Sequence, residues 1–420
     1  MDTTRSVSLL RDPVFGRLWF VQAATQVGGN MALYALTVLV FATTRSSTAV
    51  SALAMSFLVP PIFLSAIAGV VVDRLDVRWA LLGPNIVRAL LTLGLAVAGA
   101  NVGILLALNL GVGLTTVILT PAEAAMIPRV VSRDRLETAM GIFNLTLQAA
   151  FVVGFAFLGP LMVALAGPSE VLAVVTVLYV AATVACIGLP SSPPLPAAPG
   201  EAGRALQRVT AQLREGFAAI RENRDVGRPL LHLATSASLV GVLGVLGPDL
   251  AASLGLPPDQ LVVIVLPLGL GVIAGVLGLR TLGRGVSRRR AAEGALGALG
   301  VLAAAIALAV PLAAALKLPS PIPIVAVLAL GAGAAYAATA VSAQTALFEE
   351  MPARVRGRIF GVLASIVSAA SLVPVLVAGP LADRVSAPVV IVVVSVAVVA
   401  AAVFSARLFG SRAEGRSPGP

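Results

Sequence analysis

Long apolar runs, interrupted only by short polar clusters, dominate this chain. A run of about 20 mostly apolar residues is the length that crosses bilayer hydrocarbon as an α-helix. Twelve such helices are predicted, near 15–42, 48–70, 79–99, 102–121, 137–166 and 169–190, then 228–252, 259–280, 291–315, 321–345, 359–382 and 387–408. The pattern changes once. Ser191-Ser192-Pro193-Pro194-Leu195-Pro196 reads as a linker, because consecutive prolines break a helix. After it, Leu206, Val209, Leu213, Phe217 and Ile220 recur at three- and four-residue spacing, with Arg204, Arg208, Arg214 and Arg221 between them. That spacing predicts an amphipathic helix lying on the inner membrane surface. The expected organisation is an N-terminal six-helix bundle over 1–190, a cytoplasmic linker over 191–227, and a C-terminal six-helix bundle with a cytoplasmic tail over 228–420.

Composition agrees with lipid as the solvent. The chain is 58% hydrophobic and 11% charged, which no water-soluble surface of this size would accommodate. The net charge of +10 would suggest nucleic acid in a soluble protein. Here the bases sit in short loops on one side, as the positive-inside rule requires, and no nucleic-acid partner is expected. With the N-terminus in the cytoplasm, the outer side keeps only Arg45, Lys317 and Arg384 of the 29 bases. One missed or extra span would scramble that asymmetry. Both termini are therefore expected in the cytoplasm, with the first span retained as a membrane helix rather than cleaved as a leader. Abundant Ala, Arg and Gly with a single lysine suggests a bacterial plasma membrane.

Several chemistries are excluded. One cysteine, Cys186, and one histidine, His232, cannot build an intramolecular disulfide or a thiolate metal cluster. The only lysine, Lys317, follows Leu316, so no Walker-type phosphate loop exists. No cofactor is expected, and no acid pair or His-Glu-x-x-His within a span suggests an enzyme.

The loop after span two reads Gly69-Val70-Val71-Val72-Asp73-Arg74-Leu75-Asp76-Val77-Arg78. Acid and base together at a membrane edge predict a latch between helix ends, since a buried acid there must find a partner or be neutralised. A second repetition is internal. Gly141 and Gly159-Pro160-Leu161 recur as Gly361 and Gly379-Pro380-Leu381, 220 residues on, which suggests a duplicated six-helix unit.

Twelve spans in two sets, the central linker and the 69–78 loop resemble the major facilitator superfamily, whose loop between helices two and three reads roughly G-x-x-x-D-R-x-x-R-R. Gly69, Asp73, Arg74 and Arg78 fill the matching positions. Span one, the Pro121 to Pro128 turn and the Arg133 to Met140 segment resemble the bacterial drug and siderophore exporters of the enterobactin-exporter type. The resemblance implies alternating access, with two bundles rocking about a central site. It also implies that Asp73 lies against the N-terminal end of span eleven, near Arg358, and against Arg78. Two departures are visible. The loop Gly278 to Arg284 has no carboxylate, and Leu381-Ala382-Asp383-Arg384 imitates the motif on the outer side, where a helix-end role is expected. The glycines expected around Gly159-Pro160 in an antiporter motif are replaced by Phe155, Val163 and Ala164.

Uncharged polar groups mark the expected cavity. Gln22, Gln26, Asn30 and Tyr34 recur every four residues on span one, and a lipid-facing stripe of this kind is disfavoured. Asn109, Asn144, Gln148, Thr235, Ser236 and Tyr336 join them, while Ser365, Ser368 and Ser371 read better as interhelical hydrogen-bonding groups. Proton-coupling candidates are Glu123 with Arg88 nearby, Asp249 and His232; a structural ion pair between Glu123 and Arg88 is the competing reading. The expected partners are membrane lipid, a small amphiphilic substrate and protons, with the chain acting as a monomer. The leading expectation is a proton-coupled exporter. An uptake symporter or facilitator, or a non-transporting sensor of the same fold, stands beside it. Asp73→Asn is expected to abolish transport while leaving the protein inserted, measured by flux at matched membrane abundance; full activity would remove the latch role.

Overall fold

The computed structural model describes residues 9–191, 224–282, 288–350 and 356–410. The described residues are helical apart from short connections. In chain order the first six helices are α1 (Pro13–Thr44), α2 (Ser47–Asp73), α3 (Val77–Val97), α4 (Val102–Val130), α5 (Arg133–Leu165) and α6 (Pro168–Ile187). The rest are α7 (Arg224–Ser253), α8 (Val262–Leu282), α9 (Arg288–Ala307), α10 (Ile322–Glu350), α11 (Arg356–Val385) and α12 (Ala387–Gly410), with a short helix Ala309–Ala315 after α9. Eleven helices are long and apolar enough to cross a membrane among the described residues; α11 is the remaining expected segment. The amphipathic helix expected over 204–221 lies outside the described residues.

Local chemistry sets the helix ends. Asp12 caps α1 by accepting from Val14 N at 2.9 Å and Phe15 N at 3.0 Å, and Pro13 starts the helix with φ already suited to it. Asp76 caps α3 by accepting from Arg78 N at 2.9 Å. Asn101 caps α4 through Ile104 N at 3.2 Å. Helix α4 runs on to Val130 through Pro121 and Pro128, where the sequence pattern ends the span near 121. Prolines are tolerated inside membrane helices because neighbouring groups satisfy the carbonyls they free.

The helices gather into two compact units, residues 1–45 with 52–211, and residues 46–51 with 212–420. In the first, α1 packs on α4, α5 and α6, and α3 packs on α4 and α6. In the second, α7 packs on α10, α11 and α12, and α9 packs on α10 and α12. The same pairing scheme occurs in each unit, shifted by six helices. Outward-facing apolar residues cover both: Leu90 is 64% exposed, Val177 67% and Val327 71%. Such side chains are costly in water and favourable in lipid. The chain is a multi-pass membrane protein.

Without a hydrophobic driving force between helices in lipid, close approach of small residues holds them together. The α8–α10 crossing shows this most directly. Gly271 and Gly275 stand one turn apart on α8, facing Leu330, Ala334 and Ala337 of α10. Gly333 of α10 faces the Leu268 carbonyl in return. A Cβ at Gly271 or Gly333 would collide with backbone oxygen, which cannot move aside as a side chain can. Gly333→Ala is expected to destabilise the protein by about 1–3 kcal/mol through overpacking. Gly244→Ala, where a Cβ meets nothing within 4 Å, should be neutral or slightly stabilising. Thermal unfolding in detergent compares the two.

Candidate functional site

The polar stripe of α1 meets α5. Gln22 is buried and donates from Nε2 to the Phe143 carbonyl at 3.2 Å. Tyr34 is fully buried, edge-on to Phe155 at 5.6 Å between ring centroids. Gln26 and Asn30 are half-buried, and Asn30 Nδ2 donates back to the Gln26 carbonyl at 2.8 Å. The sequence groups all four as one cavity face, whereas the structure packs Gln22 and Tyr34 into the α1–α5 contact. The reason is that α5 approaches closely. A Cβ at Gly154 would lie 2.5 Å from the Val27 carbonyl oxygen and 2.8 Å from Asn30 Cβ. Around Gly154, residues Phe151–Leu158 form a π-helix, a widened turn found often at functional sites. Its rings Phe151 and Phe155 stack at 5.3 Å. Further along α5, Asn144 and Gln148 are exposed on one face.

A buried charge cluster lies deeper in the first unit. Arg88 of α3 is 6% exposed and Glu123 of α4 is 7% exposed. Arg88 donates from Nη2 to Thr116 Oγ1 at 2.5 Å and from Nε to Thr115 Oγ1 at 3.4 Å. Its guanidinium carbon stands 5.2 Å from the centroid of the Tyr179 ring of α6, a cation–π contact. Arg88 acts electrostatically on Glu123, but the two form no ion pair among the described residues. The competing reading of a direct ion pair is therefore not met; the threonines and Tyr179 take the guanidinium instead. One Glu123 oxygen, Oε1, and the Tyr179 hydroxyl are buried without a hydrogen-bond partner. A cavity of about 10 Å³, lined in part by Thr92, Asn109 and Tyr179, has about the room of a single water. Asn109 itself is engaged elsewhere, donating to the Leu53 carbonyl at 3.0 Å and to Ser56 Oγ at 2.8 Å of α2.

The second unit carries a different cluster, part of which the sequence pattern conceals. His232 and Arg228 of α7 are buried. Arg228 pairs with Glu293 of α9 and donates from Nε to Ser405 Oγ of α12 at 3.1 Å. His232 Nε2 lies 2.9 Å from the same hydroxyl. Glu293 lies inside the predicted span 291–315, just after Arg288-Arg289-Arg290, and is not among the expected site residues. Its three-residue distance from that run, one helical turn inside α9, is the signal that could have found it. Thr235 is half-buried and Ser236 buried, and both hydroxyls return to their own helix, at 2.6 Å to the Leu231 carbonyl and 3.1 Å to the Leu233 carbonyl. Tyr336 is half-buried on α10. Ser371 donates to the Val367 carbonyl at 2.7 Å; the side chains of Ser365 and Ser368 lie outside the described residues.

At the loop motif, Gly69 is half-buried while Asp73 and Arg74 are exposed. Arg78 is half-buried and makes no ion pair with Asp73 among the described residues, contrary to the contact expected between them. The Arg78 backbone instead belongs to the Asp76 cap. Asp76 also accepts from Ser191 Oγ at 2.5 Å. The side chain of Arg358 lies outside the described residues. Asp249 is half-buried on α7 and accepts from Ser47 Oγ at 3.0 Å.

A sequence model of the Major Facilitator Superfamily matches residues 18–374. No curated protein sequence matches the chain. Among solved structures, the fold is similar to that of the nucleoside transporter NupG, with a TM-score of 0.69 at 14% identity, covering 94% of this chain and 98% of that one. It is also similar to a POT family transporter in complex with a thioalcohol-conjugated peptide, with a TM-score of 0.67 at 12% identity, covering 94% and 96%. The POT family transporter PepTSo matches with a TM-score of 0.65 at 13% identity, covering 94% and 98%. At these identities the likeness is one of fold.

The buried Arg228–Glu293 pair generates a stability test. Glu293→Ala leaves a buried guanidinium without its carboxylate and is expected to cost about 3–5 kcal/mol. Removing the exposed Asp134–Arg135 pair, at 3.9 Å, should cost at most about 1 kcal/mol after solvent screening. Detergent-phase thermal melts of Glu293→Ala and Asp134→Ala check the contrast.

Proposed function

The chain belongs to the Major Facilitator Superfamily, and from that premise we propose that it is a secondary active transporter exporting small amphiphilic molecules by alternating access. Its twelve helices would form two pseudo-symmetric six-helix bundles in a bacterial plasma membrane, with both termini cytoplasmic and the chain monomeric. The observation that carries the reading is the mixture of uncharged amides with apolar walls. Gln26 and Asn30 on α1 are half-buried, and Asn144 and Gln148 on α5 are exposed. Amides facing hydrocarbon are costly, so these positions suit a wet surface. Such a surface favours a neutral or weakly cationic, largely apolar solute held by a few hydrogen bonds.

Energy would come from protons. Glu123 is the carboxyl best placed to carry one, since it is buried, has an oxygen without a donor, and feels the charge of Arg88. Binding and releasing a proton there changes how strongly Arg88 is held by its neighbours, which links titration to helix packing. In the second unit the Arg228–Glu293–Ser405–His232 cluster ties α7, α9 and α12 together and is read as structural.

Uptake of a more polar solute is the second reading. It is favoured by likeness of fold to a nucleoside transporter and to a transporter holding a peptide conjugate. Direction separates the two. Cells making the chain are expected to accumulate less of a lipophilic cationic dye than cells lacking it, with the difference erased by an uncoupler. Glu123→Gln should remove the uncoupler-sensitive part while leaving membrane abundance unchanged. Higher accumulation in the expressing cells would reverse the assignment to uptake.

A further inference from the structure

The pattern Gly-x-x-x-Asp-Arg occurs twice in this chain, as Gly69 to Arg74 at the inner end of α2 and as Gly379 to Arg384 at the outer end of α11. The family resemblance accounts for the first copy. The second copy is where the structure concentrates its polar contacts.

Helix α2 begins abruptly. The chain leaves α1 through Arg45, in the left-handed region with φ 52°, and enters α2 at Ser47. No acidic residue lies in the first turn of α2, so its free N–H groups need an acceptor from elsewhere. Asp383 supplies it. Its Oδ1 accepts from Ser47 N at 2.7 Å, and its Oδ2 accepts from Thr48 N at 3.1 Å and from Ser46 Oγ at 2.6 Å. A second carboxylate, Asp249 of α7, accepts from Ser47 Oγ at 3.0 Å. One turn on, Ser51 Oγ donates to the Val375 carbonyl at 2.8 Å. Ser47 and Ser51 are buried. Gly379 makes this seat possible, since a Cβ there would collide with the Ser47 carbonyl and the Ser51 hydroxyl.

All these contacts lie within the second unit, to which residues 46–51 belong, whereas residues 52–73 of the same helix belong to the first. A helix shared in this way cannot follow both units through a rocking motion with its first turn held. We propose that Gly379 and Asp383, supported by Asp249, form an outer latch that grips the first turn of α2 and releases it when the outer side opens. The grip combines charge-assisted hydrogen bonds with the positive end of the helix dipole. The inference rests on the alternating-access reading above, but the contact itself is tested without a substrate.

The test uses a Cys186→Ala chain carrying Ser47→Cys, with a membrane-impermeant maleimide added outside intact cells. With Asp383 present, labelling should be slow, because position 47 is covered. Asp383→Ala is expected to speed labelling about five- to tenfold, the factor that loss of a helix cap supplies. Asp383→Asn keeps one acceptor oxygen and should speed it less. An unchanged rate in well-inserted Asp383→Ala protein would overturn the latch. A second measurement asks whether release matters. In the same Cys186→Ala chain, Ser46→Cys with Asp383→Cys should cross-link under oxidation and stop dye efflux, and a reductant should restore it. Undiminished efflux in fully cross-linked protein would also overturn the latch. Faster labelling in a protein that moves no solute in any arm supports the latch and counts against the transport reading.

Discussion

Hydrocarbon offers no hydrogen-bond partner, and that constraint runs through every level of this protein. Each backbone N–H and C=O in the membrane must be satisfied inside a helix or by a neighbouring side chain. Helices therefore extend through prolines rather than stopping at them, as α4 does at Pro121. Helix ends recruit caps, from Asp12, Asp76 and Asn101 nearby or from Asp383 at a distance of 335 residues. Association of the helices then depends on close approach. The glycines of α8 and α10 bring backbone against backbone where larger side chains would hold the helices apart.

The same constraint makes charge inside the bundles informative. Among the described residues each unit shows a buried arginine-centred cluster, and the two are built differently. Arg228 has a direct carboxylate partner, Glu293, so its charge is compensated and its helices are pinned. Arg88 is held by two hydroxyls and an aromatic face, while Glu123 stands near it without an ion pair. A compensated pair resists change, because separating it exposes two bare charges. Glu123 makes no ion pair among the described residues, and the proton coupling proposed above draws on that difference. The π-helical turn at Phe151–Leu158 adds a local irregularity on α5 against the polar face of α1.

Much of this architecture was legible in the residues. Twelve apolar runs, the one-sided placement of the bases and the Pro-rich break after residue 190 led to two sets of six helices; eleven of the runs fall on described helices long and apolar enough to cross a membrane, with ends that differ by several residues. The spans, the central linker and the 69–78 loop pointed to the superfamily, and the repeat of Gly159-Pro160 at Gly379-Pro380 to a duplicated unit. The site was read less well. Gln22 and Tyr34 looked like cavity groups by spacing alone, but they pack against α5. Glu123 with Arg88 nearby read as a proton-coupling site or as a structural ion pair; no ion pair forms between them, and Arg88 is held by two hydroxyls and a tyrosine face. Glu293 and Ser405 were missed, and Asp383, expected in a helix-end role, takes that role on the first turn of another helix.

Sequence by itself determined what is local or set by the solvent: the apolar runs long enough to cross a bilayer and the polar breaks between them. Each depends on a window of neighbouring residues weighed against water or lipid. Tertiary structure alone decided which faces meet. Rotation of a helix about its axis and its crossing angle with a neighbour depend on small residues in distant segments, as Gly154 does for the α1 stripe and Gly379 for the first turn of α2. A change of about 100° in rotation per residue turns a polar group from cavity to interface, so spacing along one helix carries no information about what stands opposite.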